Sequence, residues 1–152
     1  MSIAIALHIL SVVIWVGGMF FAYVALRPAA ASILEPPQRL PLWSQVFARF
    51  FPWVWAAVAL ILATGYWMLF NRFGGMANAP LFVHAMNGLG LVMMGIFMFV
   101  YFVPYRRLHD YVLGMRWQEA GKALAKIRVL IGINLAIGLL TVAIASAGRF
   151  LA

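Results

Sequence analysis

Four apolar blocks, each about as long as the helix needed to cross a bilayer, leave this chain few ways to fold. They cover approximately residues 3–26, 52–70, 81–103 and 129–148. Lipid cannot satisfy a free backbone N–H or C=O, and the alternating pattern of barrel strands is missing, so the blocks read as helices. Of the 152 residues, 66% are hydrophobic and 9% charged, which leaves too little polar surface for a water-soluble globule. The expected architecture is an all-α, integral membrane four-helix bundle, with residues 1–152 as a single domain.

Charge sets the expected orientation. The formal charge is +8, and the basic residues lie between apolar blocks rather than on a soluble face, which argues for membrane topology and against nucleic acid. The first connection, 27–51, carries Arg27, Arg39 and Arg49. The third, 104–128, carries Arg106, Arg107, Arg116, Lys122, Lys126 and Arg128. The opposite side has only Arg72 and Arg149. Positive loops stay cytoplasmic, so both termini are expected outside, in the inner membrane of a bacterium. A removable signal peptide is the competing reading of the first block, with Ala29-Ala30-Ala31 as its cleavage site. Against it, the segment before the block has no positive charge and the block exceeds the usual apolar core of about 7–15 residues.

Both long connections look amphipathic. Pro36-Pro37 and Pro41 are expected to break the chain, 42–49 to lie at the interface, and Pro52 to redirect it. Residues 115–128 are rich in helix formers and extend the last span. Tyr23, Trp53, Trp55, Tyr66, Trp67, Tyr101 and Tyr105 fall near span ends, as interfacial aromatic belts do.

Only two ionisable side chains lie within the spans, His8 and His84. Each is a functional candidate because such groups are costly in lipid. His8 lies about 8 Å, and His84 about 5 Å, along its helix from the same membrane face, so the two imidazoles are expected at matching depth. That arrangement suits ligation of one metal or one haem inside a bundle. Gly88, Leu91 and Gly95 share the helical face of His84, leaving room for a macrocycle or for a close helix. Val12, Trp15 and Met19 share the face of His8. Zero cysteines exclude thioether-attached haem and thiolate sites and fit a non-covalent haem b. A pure interhelical hydrogen-bonding role is the plainer alternative.

Copper is the other metal to weigh. Met86, Met93, Met94 and Met98 lie on the third span, and thioethers suit Cu(I). Met86 is about 200° round the helix from His84, however, and Met93 and Met94 follow it, so the ladder points away from that histidine. His109 and the Arg106-Arg107 pair read as a structural histidine and a headgroup contact. Asn134, Gly138, Thr141, Ala145 and Gly148 form a small, partly polar stripe of the kind that packs helices. The spans contain no carboxylate for acid–base work, and there is no glycine-rich phosphate loop.

Residues 7–28, LHILSVVIWVGGMFFAYVALRP, and the ending IRVLIGINLAIGLLTVAIASAGRF resemble the first and last spans of CopD-like proteins, the copper-resistance protein D family. The histidine, the W-x-G-G turn and the Arg-Pro exit carry the likeness. The opening is also similar to HemJ-type protoporphyrinogen oxidases, four-span proteins that hold haem b. That second resemblance implies haem ligation by His8, with His84 matching by position. The lysine of the HemJ-type third span has no counterpart in 81–103, where Asn87 occupies the neighbourhood.

The sequence reading is therefore a membrane b-type cytochrome, with His8 and His84 as metal ligands and Trp15, Met19, Asn87, Gly88 and Gly95 around the cofactor. One-electron transfer with a quinone or another redox protein is its expected role, and a haem-dependent oxidoreductase activity the enzymatic form. Membrane lipid and a second copy of the chain are the other expected partners. A copper-binding or copper-transport protein is the alternative, and a cofactor-free structural subunit the second.

Overall fold

A computed structural model describes residues 1–151, without the side chains of Arg149 and Leu151. Helices α1 (Ser2–Phe20) and α2 (Arg27–Ile33) run on through a π-helical turn at Phe21–Leu26. After Leu34-Glu35 comes α3 (Pro36–Phe73), then a 3-10 turn (Met76–Asn78), α4 (Leu81–Phe102), α5 (Pro104–Leu113) and α6 (Trp117–Leu151). Among the described residues there is no strand, and four helical runs are long and apolar enough to cross a membrane: Ser2–Ile33, Pro36–Phe73, Leu81–Leu113 and Trp117–Gly148. The chain is an all-α membrane four-helix bundle.

Each break has a local cause. Gly74 ends α3 in the left-handed region, at φ 73°, where glycine meets no Cβ penalty. Pro104 removes an N–H and disfavours helical backbone in the residue before it, and Val103 accordingly sits at φ −116°, ψ −81°. Met115 turns the chain between α5 and α6 with φ 55°.

The structure corrects the reading of the first connection. Pro41 and Pro52 neither break nor redirect the chain; both lie inside α3, and no interfacial segment separates from it. Leu40, Trp43, Phe47, Phe51, Val54 and Val58 are all buried, at helical spacing of three and four, so one packed stripe runs unbroken past Pro52. Continuous packing of this kind outweighs the one backbone bond a proline removes, and membrane helices tolerate such losses. The first connection is therefore only Leu34-Glu35, and α6 likewise carries the last span far beyond its apolar part.

Helix α1 packs along α3 and α4 along α6, with further contacts from α6 to α1 and α3. Within lipid, association rests on close van der Waals packing more than on water expulsion. Gly18 is one such contact: a methyl there would fall on the Phe50 ring of α3. Asn134 ties α6 to α4 by donating from Nδ2 to the Met93 carbonyl at 3.2 Å, while its buried Oδ1 has no partner. Part of the small-residue stripe packs, with Gly138 against Met93 and Val16 and Gly148 against Phe82, while Thr141 and Ala145 line a cavity.

An aromatic stack fills the middle of the bundle. Phe97 meets Trp15 at 6.2 Å, Trp55 at 5.0 Å and Phe51 at 5.4 Å, and Trp55 meets Tyr101 at 5.3 Å. Trp55, Tyr101 and Tyr105 thus join an internal cluster instead of an outer belt. Trp53 and Trp67 remain exposed, as a belt requires.

Candidate functional site

The stack closes off one end of a cavity of about 680 Å³ that opens among the terminus-side halves of α1, α3, α4 and α6. His8 lines it from α1, Tyr66 from α3, and Met86, Asn87, Met93 and Met94 from α4; Met76 stands on the connecting turn. Apolar side chains make up nearly all of the remaining wall.

His8 is oriented by α3. Its Nδ1 lies 3.0 Å from Thr64 Oγ1, and the Thr64 hydroxyl donates its own proton to the Leu60 carbonyl at 2.5 Å. With that proton on the Leu60 carbonyl, the hydroxyl accepts from the ring, an arrangement that favours the Nδ1–H tautomer of the neutral imidazole. The lone pair is then on Nε2. A histidine whose second nitrogen is held this way is preset as a metal ligand. Gly65 makes room for the ring, since a methyl there would stand 3.3 Å from His8 Cε1. Across the cavity, the Tyr66 hydroxyl donates to Asn87 Oδ1 at 2.5 Å and bridges α3 to α4.

His84 is elsewhere. It is exposed, as are Gly88 and Gly95 on the same face of α4, and none of the three lines the cavity. The expected pairing of His8 with His84 across one haem is not formed, and the two glycines face open space instead of a macrocycle. A two-histidine haem does not fit these residues. Trp15 and Asn87 line the cavity, and Met19 is buried in the core. The methionine ladder does point away from His84, but it is the ladder that faces the interior. Met93 and Met94 are buried and share the cavity with His8, whereas Met98 is exposed.

His109 lies on the exposed side of α5, with Nδ1 3.2 Å from Ser44 Oγ, a tether to α3. Among the described residues no cluster of three or more His, Asp or Glu could hold a metal ion. The cavity offers one imidazole and several thioethers, while the oxygens of Tyr66, Asn87, Thr141 and Ser146, which also line it, are engaged in hydrogen bonds. Sequence reasoning weighed the methionines only against His84 and so missed that His8 lines the same cavity.

No curated protein and no solved structure matches the chain. A family description does match: copper resistance protein D, over residues 44–147, which runs from α3 through most of α6 and leaves α1 outside. With about two-thirds of the sequence matched, the chain belongs to the copper resistance protein D family.

Proposed function

We propose that the protein binds Cu(I) in the terminus-side cavity and handles copper at the membrane, with the ion as cargo. The observation that carries this reading is the donor set: His8, oriented by Thr64, lines the same largely apolar cavity as Met86, Met93 and Met94. Thioethers and a neutral imidazole select a soft monovalent ion, and carboxylates, which would favour hard cations, do not line the cavity. An apolar lining also suits Cu(I) over a more strongly hydrated divalent ion. Met76, on the turn at the mouth, extends the thioether series toward the terminus-side surface, and the aromatic stack beyond Met94 bounds its inner end. Membership of a copper-resistance family supports the same cargo. With both termini outside, as the basic residues favour, the cavity faces away from the cytoplasm.

Competition between the purified protein and a chromophoric Cu(I) chelator tests the reading. One Cu(I) per chain is expected, with affinity lowered about tenfold or more in His8→Ala and Met94→Leu and unchanged in His84→Ala. Failure to retain Cu(I), or an equal loss in His84→Ala, overturns it.

A further inference from the structure

A second cavity, of about 260 Å³, lies at the opposite end of the bundle, between the first helical run, the start of α3 and α6. Three arginines frame it: Arg27 at the end of the π-helical turn, Arg39 in the opening turns of α3, and Arg128 in α6. Its walls are Tyr23, Leu40, Trp43 and Ile131, and no carboxylate lines it. We propose that this cavity holds the phosphodiester headgroup of one anionic phospholipid.

The charge balance is the first argument. Among the described residues the one ion pair is Arg116–Glu119 on the surface, so no carboxylate neutralises Arg27, Arg39 or Arg128. Three arginines that line one recess, Arg27 and Arg39 partly buried and Arg128 exposed, make it a place of positive potential that attracts an anion. The geometry is the second. Arg27 donates from Nε to the Tyr23 carbonyl at 3.1 Å and lies 4.6 Å from the Tyr23 ring centroid. Arg39 donates from Nη1 to the Leu34 carbonyl at 3.4 Å. Two of the three are thus held in place by main-chain carbonyls, with their remaining N–H groups free to fork onto phosphate oxygens.

Tyr23, which holds Arg27, is itself fitted to the bundle. It comes from the π-helical turn and lies on Gly132 of α6, where a methyl would stand 2.9 Å from its ring. π-helical turns recur at functional sites. The surroundings favour a lipid over free phosphate. The recess sits where membrane-spanning helices meet their basic ends, and the same π-helical turn exposes Phe21 and Val24, an apolar flank for acyl chains.

Native mass spectrometry of the whole protein, titrated with phosphatidylglycerol or with phosphatidylcholine of identical chains, tests this. One phosphatidylglycerol is expected to be retained about tenfold more tightly than phosphatidylcholine. Arg39→Gln with Arg128→Gln should abolish the preference, and Arg106→Gln with Arg107→Gln, an equal loss of charge at the same end, should keep it. Inorganic phosphate in large excess should leave the lipid bound. Equal retention of both lipids by the unaltered protein overturns the proposal. So does equal loss in the two double variants, which would mean diffuse attraction, and so does displacement by phosphate, which would mean a free-anion site. The two titrations of the unaltered protein and the phosphate competition need no variant to fold.

Discussion

Gly17 and Gly18 are neighbours in one helix and differ in what a side chain would meet. A methyl at Gly17 finds nothing within 4 Å, whereas one at Gly18 falls on the Phe50 ring. Gly17→Ala should therefore leave the protein's thermal unfolding in detergent unchanged or raise it slightly, by the helix preference of alanine. Gly18→Ala should destabilise by about 1–3 kcal/mol, the usual cost of overpacking a filled contact. Equal shifts in the two variants would show that Gly18 does not seat Phe50. The same contrast explains what the sequence can and cannot say about the candidate site. The offsets of His8 and His84 into the spans set only their expected depths. Their facing is not set this way, because a helix apolar on every side has no polar face to mark its outside. The decisive contact, Thr64 under His8 Nδ1, joins residues 56 apart in sequence and has no local signature.

Among the elements, the helices and their apolar extents are readable from composition and length, and the proline at position 104 marks the α4–α5 break correctly. The prolines at 41 and 52 mislead, because the rule for proline is local and the stripe from Leu40 to Val58 that overrides it is a tertiary property. Nothing in the sequence marks the α5–α6 turn as strained. Gly114 precedes the residue that needs the left-handed backbone, and Met115 adopts φ 55° instead. Its side chain is 72% exposed, so little packing is lost by replacing it. Left-handed backbone costs a non-glycine residue about 1–2 kcal/mol, part of which glycine returns through its greater freedom when unfolded. Met115→Gly should therefore stabilise the protein by roughly 0.5–1 kcal/mol, read as a higher unfolding midpoint. A lower midpoint would mean that the Met115 side chain makes contacts worth more than the strain.

At the scale of the whole molecule the two cavities divide the bundle by chemistry. The terminus end gathers an imidazole and several thioethers in a largely apolar recess, and the connection end gathers arginines in an aromatic one. The aromatic stack around Phe97 lies between them. If the terminus-side cavity takes Cu(I) as proposed, the orientation of the bundle decides which compartment supplies it. The basic residues favour termini outside, because the connection end carries nearly all of them. The chain has no cysteine, which gives a clean background for labelling. Ala77 is exposed on the turn between α3 and α4, and Gln118 is exposed at the start of α6. In intact cells a membrane-impermeant maleimide should modify Ala77→Cys, and should reach Gln118→Cys only after permeabilisation. The reverse pattern would invert the bundle. The thioether series would then begin in the cytoplasm, and Cu(I) would enter the cavity from the cell interior.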